Sequence, residues 1–511
     1  MSENRWKSAG RHDIKLTERK PMNIEDRDTC YEIFRSKDAR YDGRFFIGIT
    51  TTGIYCRPVC RARLPRPENC RYFRTAAEAE KAGFRPCLRC HPERAPGASR
   101  IDASSELARR ALNYLRDNSD SGRSLAELSS DLGCSERHLR RVFQQEYHVT
   151  PVEYLQTCRL LTARQLLMET PLSVIEIAMS AGFGSVRRMN ELFRNHYGMT
   201  PTTFRHQKGK AEQNGTAVVS LGYRPPYAWP EMLSFLKARA IPHVEHVTEQ
   251  AYERTVSLTS RKGETCQGTV RVTHDSSSHV LKVEMSGTLV PVMPRITARI
   301  RQMFDLDCDP EIIDAKLESM RDILPEGIVP GIRLPGCFDV FEMACRAVIG
   351  QQITVQAAST LCGRLAETYG TPIRTDREGL DRIFPDAQSI LAMKDECGEK
   401  LGRIGIISSR AHAMQAIAEA LETGEVYLNR AADPETEAAH LMTIRGIGSW
   451  TAGYIAMRTM GWTDAFLEND AGIRRSLPAL SDRKRRQLSE EWKPWRSYAM
   501  MNLWHQEGKG R

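Results

Sequence analysis

The sequence predicts a multidomain chain: a small α/β domain with a metal clamp, an all-α domain of two helix-turn-helix units, and an α+β unit in which an antiparallel β subdomain precedes a helical one. Three observations predict it. Cys56, Cys60, Cys87 and Cys90 fall into two tight pairs, C-x3-C and, after 26 intervening residues, C-x2-C. A stretch between residues 125 and 201 repeats itself. Beyond Gly215, apolar and polar residues alternate as in strands, and beyond about Pro294 helical periodicity runs nearly to the end. At 511 residues the chain has room for three or four cores. Breaks at HPERAPGASR (91–100) and HQKGKAEQNG (206–215) place the domains at 1–98, 99–208, 216–300 and 301–511.

In the first domain, two thiolates from each of two turns can close a tetrahedron around one zinc ion, with sulfur about 2.3 Å from the metal. The segment RFFIGITTTGIYC reads as a strand entering the first pair, and EAEKAGFRPC as a helix entering the second. Arg57, Arg61, Arg63, Arg71, Arg85 and Arg89 crowd the sulfurs. A structural knuckle needs no such density, whereas a site that meets phosphate does. Cys70 and His91 are the nearest rival ligands; the other cysteines lack clamp spacing and read as core fillers. No apolar leader follows MSENRWKSAGRHDIK and no apolar run approaches a membrane span, so reduced thiols, a cytoplasmic location and no membrane partner are expected. A net charge of +9 suits a polyanionic partner.

With TTGIYCRPVCRAR and AGFRPCLRC, the segment from about Tyr31 to Glu93 closely resembles the N-terminal domain of the Ada family. The resemblance implies that Cys56 is both a zinc ligand and an irreversible acceptor of methyl groups from DNA methylphosphotriesters. Cys60, Cys87 and Cys90 complete the ligand set. Loss of one negative charge on methylation would then strengthen DNA binding. A metal or redox sensor without methyl transfer is the alternative, and the arginines argue against it.

In the second domain, LAELSSDLGCSERHLRRVFQQEYHVTP (125–151) matches VIEIAMSAGFGSVRRMNELFRNHYGMTP (174–201), with Gly133 opposite Gly182, Phe143 opposite Phe193 and Pro151 opposite Pro201. Each copy reads as a short helix, a glycine turn and a second helix with a polar, basic start. One copy alone suits a helical hairpin. Two copies joined by VEYLQTCRLLTARQLLMET resemble the AraC-type regulator domain, which implies sequence-specific binding to promoter DNA. The candidate base readers are Ser135, Glu136, Arg137, Arg140 and Arg141 in copy one, with Ser185, Arg187, Arg188 and Asn190 in copy two.

In the third unit, WPEMLSFLKARA reads as a helix, and ERTVSLTS, GTVRVTHD and HVLKVEMSG as antiparallel strands. Within HLMTIRGIGSWTAGYIAMRTMGWTDAFLENDAGIRRSL (440–477), Gly446 and Gly448 form a G-I-G hairpin leading into a helix near Ser449. Such a hairpin brings backbone N–H groups close to phosphate, though a lone G-x-G is more often an ordinary turn.

With FLENDAGIRR downstream, this segment closely resembles the helix-hairpin-helix DNA glycosylases of AlkA type, and the resemblance runs from about Val219 to His505. It implies excision of alkylated bases such as 3-methyladenine from double-stranded DNA. Asp470 is the matching catalytic carboxylate. Trp450, Tyr454 and Trp504 match the pocket aromatics, where an electron-rich face attracts a cationic base by roughly 0.5–2 kcal/mol. Glu468 reads as a solvated acid and Asp464 as a cap. Trp450 stands where some relatives carry a Schiff-base lysine, so the enzyme should leave an abasic site without nicking the strand. The position of the family's intercalating leucine is Gln352, after Gln351, with Ile353 as its neighbour.

The expected whole is a zinc methyl acceptor, an AraC-like DNA reader and a base-excision glycosylase in one monomeric chain, with RNA polymerase as a further partner. The alternative is a transcription factor with a catalytically degenerate C-terminal half; the carboxylate at 470 argues for activity.

Overall fold

The computed structural model describes residues 23–99, 105–170, 172–208, 216–324 and 326–509. The start of the chain and the polar break at 209–215 lie outside them. The first unit begins with α1 (Arg27–Ser36) and carries β1 (Phe46–Ile49), β2 (Ile54–Cys56), β3 (Cys70–Phe73), α2 (Ala76–Lys81) and β4 (Arg85–Pro86). Its sheet has the order β3-β1-β2-β4, antiparallel except for the β2–β4 pair. All of β1 is buried because both faces are covered. Ile33 and Phe34 of α1 pack with Phe45 and Ile47 on one face, and Ala76 and Ala79 of α2 pack with Phe46, Phe73 and Phe84 on the other. The second cysteine pair is delivered by a strand and not by a helix. After α2, Gly83 turns at φ +89° and Pro86 has no N–H to continue a helix.

The second unit is all helical: α3 (Glu106–Asp117), α4 (Leu125–Asp131), α5 (Glu136–Tyr147), α6 (Pro151–Glu169), α7 (Val174–Ser180), α8 (Val186–Tyr197) and α9 (Pro201–Lys208). The repeat shares its capping chemistry. Ser124 with Glu127 and Ser173 with Glu176 form capping boxes on α4 and α7, and Ser135 and Ser185 cap α5 and α8. Connecting helix α6 buries residues around its whole girth, from Tyr154 and Thr157 to Leu166 and Leu167. It is enclosed by the two copies and by the first unit.

The third unit opens with β5 (Thr216–Gly222), α10 (Trp229–Lys237), β6 (Glu245–Val247), β7 (Ala251–Thr259), β8 (Thr265–Asp275) and β9 (Val280–Ser286). These strands form one antiparallel sheet ordered β5-β9-β8-β7-β6. Val219 faces Val283, and Val283 faces Val272, so one apolar stripe crosses the sheet. Helices follow: α11 (Met293–Met303), α12 (Pro310–Leu317), α13 (Val340–Ile349), α14 (Val355–Tyr369), then, past a two-stranded ribbon, α15 (Ala387–Leu391), α16 (Cys397–Gly402), α17 (Ser408–Thr423), α18 (Pro434–Thr443), α19 (Ser449–Met460), α20 (Ala471–Ser476), α21 (Asp482–Ser489) and α22 (Arg496–Lys509). Among the described residues no helix is long and apolar enough to cross a membrane.

The units are not beads on a string. Leu160, Leu166, Ile177, Phe193 and Phe204 of the second unit belong to the same contiguous core as Val219, Leu281 and Ile296 of the third. Beside it lies a buried charged junction centred on Asp307. This carboxylate accepts from the Gly97 N–H (2.8 Å) and from Arg116 Nη2 (2.5 Å), with Arg301 at 3.3 Å and Arg430 at 4.0 Å. Arg224 reaches back to the Gly97 carbonyl at 2.7 Å, and Arg44 pairs with Asp309.

Candidate metal centre and active site

The β1–β2 hairpin and the turn after β4 bring the four predicted cysteines together. One sulfur from each lies within 4.8 Å of all the others, and Cys60 and Cys87 are 4.0 Å apart. A tetrahedron with bonds of about 2.3 Å has edges of about 3.8 Å, so the cluster is of zinc size. The Arg57 and Arg89 backbone N–H groups donate to the sulfurs of Cys90 and Cys87, each at 3.4 Å. Mutual hydrogen bonds, led by Cys60, and then burial push the Cys56 thiol strongly up, while bonds led by Cys56 push Cys87 strongly down. Four sulfurs packed this closely would repel one another as thiolates, so a cation bound among them is what lets all four ionise. Neither rival ligand joins them: Cys70 points at the Arg66 carbonyl and His91 pairs with Glu93.

Exposure within the clamp is uneven. Cys56 is 1 % exposed, whereas Cys90 is half-buried and the most open of the four. Of the six arginines predicted to face phosphate, Arg57 does not. It is buried against Asp42 and donates to the Cys90 carbonyl at 2.9 Å, so it braces the clamp. Arg61, Arg63, Arg71, Arg85 and Arg89 are exposed.

On the reading helices, Arg137, Arg140, Arg141, Arg187 and Arg188 are exposed, with Arg140 paired to Glu136 and Arg188 to Glu191. Ser135 and Ser185 also cap these helices, their hydroxyls accepting from the His138 and Arg188 N–H groups.

A cleft of about 1370 Å³ opens between α10, α13, α14, α19, α20 and α22. Gly446, at φ +92°, and Gly448 form the exposed hairpin at its lip. A Cβ on Gly448 would meet nothing within 4 Å, so the protein's own packing does not demand a glycine there. Trp450 and Tyr454, one turn apart on α19, stack with centroids 5.2 Å apart and planes 7° apart. Trp504 of α22 stands edge-on to Tyr454 at 6.4 Å and stacks on Phe235 of α10 at 6.3 Å.

Asp470 sits at the foot of these rings as the N-cap of α20. Its Oδ1 accepts from the Gly472 and Ile473 N–H groups (2.8 and 3.1 Å) and from Trp504 Nε1 (2.8 Å). Its Oδ2 accepts from Trp450 Nε1 at 3.0 Å and keeps capacity toward the cleft. Gln351 ties the lip together, donating to the Gly446 carbonyl (3.0 Å) and to Thr451 Oγ1 (2.9 Å). Gln352 is exposed at φ +54°, a left-handed conformation at the rim.

The sequence reading missed Phe235, Arg239 and Arg458. Phe235 looks like any core position of an amphipathic helix. Arg239, over the Phe235 ring at 3.8 Å, and Arg458, donating to the Tyr454 hydroxyl at 2.6 Å, line the cleft but belong to no short motif. Two neighbouring acids have other duties. Glu468 pairs with Arg486, and Asp464 forms a two-pronged pair with Arg496 (2.8 and 3.0 Å) instead of capping a helix.

Comparison with known proteins covers almost the whole chain. Residues 29–93 match the metal binding domain of Ada, 128–207 a helix-turn-helix domain, 218–339 the AlkA N-terminal domain, and 345–496 the HhH-GPD superfamily of base excision DNA repair proteins. A Mycobacterium tuberculosis protein described as a probable bifunctional transcriptional activator/DNA repair enzyme AlkA is 34% identical over 490 residues, 94% of this chain and 96% of that one. Escherichia coli DNA-3-methyladenine glycosylase 2 is 35% identical over 57% of this chain and 97% of its own length. Bacillus subtilis AdaA, a bifunctional transcriptional activator/DNA repair enzyme, is 30% identical over 40% of this chain and 92% of its own. The four-cysteine cluster thus lies inside a recognised metal-binding domain and is a site for one zinc ion.

Proposed function

The chain belongs to the family of bifunctional transcriptional activators and DNA repair enzymes, and from that premise we propose that its C-terminal half excises alkylated bases while its N-terminal half senses alkylated DNA. One observation carries the excision reading: a carboxylate held by two indole N–H groups at the foot of an aromatic cleft. An alkylated purine such as 3-methyladenine, turned out of the duplex, enters between the Trp450–Tyr454 stack and Trp504. As the N-glycosidic bond breaks, its electron pair leaves with the base and positive charge develops at C1′. Asp470 Oδ2 stabilises that charge. Water then adds to C1′, its proton passes through the carboxylate to solvent, and an abasic sugar remains. No lysine lines the cleft among the described residues, so no Schiff base forms and the strand stays intact.

In the N-terminal half, Cys56 accepts a methyl group from a phosphotriester. The sulfur–carbon bond forms as the carbon–oxygen bond breaks, and the electron pair stays on the phosphate, which becomes a diester anion. Bound zinc keeps the sulfur ionised beforehand. The clamp ends one negative charge poorer, and Arg137, Arg140, Arg187 and Arg188 then hold promoter DNA more firmly. Gln352 and Ile353 plug the gap left by the turned-out base. The chain acts as a cytoplasmic monomer with RNA polymerase as its transcriptional partner, and its units divide near 98, 208 and 300.

The test is incubation with methylated DNA, followed by analysis of released bases and peptide masses. Wild type should release 3-methyladenine, Asp470→Asn should do so a hundredfold or more slowly, on the order expected for loss of a key electrostatic stabiliser. Cys56 should gain about 14 mass units, one methylene. Unchanged excision by Asp470→Asn removes the assigned carboxylate. A methyl group on Cys90 moves the acceptor.

A further inference from the structure

Each cysteine pair of the clamp is wired by buried polar contacts to the helices that carry or join the DNA readers. Tyr55, the residue before Cys56, is wholly buried and donates to Glu80 Oε1 at 3.0 Å. The other oxygen of Glu80 accepts from Thr157 of α6 at 3.0 Å and lies 3.3 Å from His196 Nδ1, at the end of α8. On the second pair, Arg164 of α6 is 1 % exposed. It donates to the backbone carbonyl of Cys87 at 2.9 Å and to Glu93 at 2.8 Å.

We propose that Glu80 and Arg164 transmit the alkylation state of the clamp to α8 and α6, so that methylation repositions the second reading helix as well as changing the charge seen by DNA. The inference rests on the reading that the clamp accepts a methyl group. Two physical arguments support it. Cys56 is buried, so the end of β2 must shift before its sulfur can meet a phosphotriester, and Tyr55 ties that strand end to Glu80. Four thiolates around a divalent cation carry a net charge of about −2 and, after one methylation, about −1. A buried guanidinium against a ligand's own carbonyl feels that loss more than any group in water. Both wires end on elements that set the spacing of the two readers, α6 because it joins them and α8 because it is one of them. Glu80 and Arg164 are thus positioning residues; neither touches the transferred group.

A purely structural contact would change stability but leave the ratio of operator affinities between methylated and unmethylated protein untouched, so that ratio is the measurement. Full-length wild type, Glu80→Gln, Arg164→Lys and His196→Gln are each loaded with zinc and exposed to methylphosphotriester DNA. Zinc content and the Cys56 peptide mass are recorded. Affinity is then measured for a duplex selected from a random library by methylated wild type. Wild type should bind about tenfold or more tightly once methylated, a usual allosteric coupling. The variants should keep zinc and accept the methyl group, yet show a ratio lower than that of wild type by about threefold or more, what remains being the part owed to the change of charge alone. A wild-type ratio in the variants overturns the proposal. Should Glu80→Gln or Arg164→Lys lose zinc, His196→Gln decides, since its side chain is 27% exposed and its loss disturbs little packing. Wild type that takes no methyl on Cys56 sinks the underlying reading instead, and the mass data tell the two failures apart.

Discussion

On the proposed reading, Asp470 divides two duties between its oxygens. Sequence reasoning assigns it to chemistry and gives it no part in the fold, because a carboxylate after a loop looks like any other until its helix is seen. The structure makes it also the cap of α20. Asn caps nearly as well as Asp, but an amide nitrogen at the Oδ2 position would face Trp450 Nε1, donor against donor. Asp470→Asn should therefore cost about 1 kcal/mol in thermal or denaturant unfolding, far too little to explain its loss of excision. Gly448 separates folding from binding more cleanly. Its φ of −91° suits any residue and a Cβ there meets open space, so Gly448→Ala should melt like wild type. It should bind abasic or lesion duplex about tenfold more weakly, as one backbone–phosphate contact is crowded out; unchanged affinity would place the DNA elsewhere. Asp470 and Trp450 were legible because they sit within one motif. Phe235 and Arg239 were not, because the cleft is assembled from helices more than two hundred residues apart. The prediction for Arg57 failed because sequence shows a charge but not the Asp42 that draws it inward.

At the scale of elements, the helix-turn-helix repeat was readable because both copies spend the same residues on the same backbone problems. Gly133 and Gly182 both take positive φ, and serines open each helix. That economy also gives Ser135 and Ser185 a capping duty that the repeat alone did not single out. In the sheet, β7, β8 and β9 were visible by alternation, but β5 and β6 were not. The short β6 holds three residues, and β5 follows directly on a polar break. Helix α13 carries an acid that makes the catalytic half sensitive to pH. Burial alone would raise the Glu342 carboxyl, but Arg254 (2.6 Å) and Arg346 (2.8 Å) outweigh it and draw it from 4.5 to about 2. Stabilisation from this cluster is complete above about pH 4.5 and lost as pH falls toward 2. Unfolding of the helical half followed against pH should weaken across that window. Glu342→Gln, which leaves two buried guanidiniums short of a partner, should be less stable at neutral pH and flatter through the window.

For the molecule as a whole, Asp307 is the group to remove. Burial opposes its charge, yet Arg116, Arg301 and Arg430 hold it well below the usual carboxylate range. It joins a helix of the DNA reader to two parts of the glycosylase. Asp307→Asn takes the shared carboxylate from Arg301 and Arg430 and leaves Arg116 with Asp117 alone, a loss of about 3–5 kcal/mol for breaking a buried pair. Calorimetry should show one transition for wild type and two for the variant, with the helix-turn-helix unit melting first; a single transition in both would mean that the apolar core alone welds the halves. Sequence boundaries suggested separable parts because composition changes abruptly at each break. It could not show that Phe193 and Val219 share a core, since such contacts follow no local pattern. That shared core sets a stoichiometry. Where the helix-turn-helix unit meets the glycosylase, the polypeptide cannot be parted without baring apolar surface on both sides, so every molecule that sounds the alarm at a promoter brings one excision enzyme with it. The ratio of sensor to repair capacity is thus set by covalent continuity and not by two expression levels, and it stays at one to one however noisy the supply of the protein becomes.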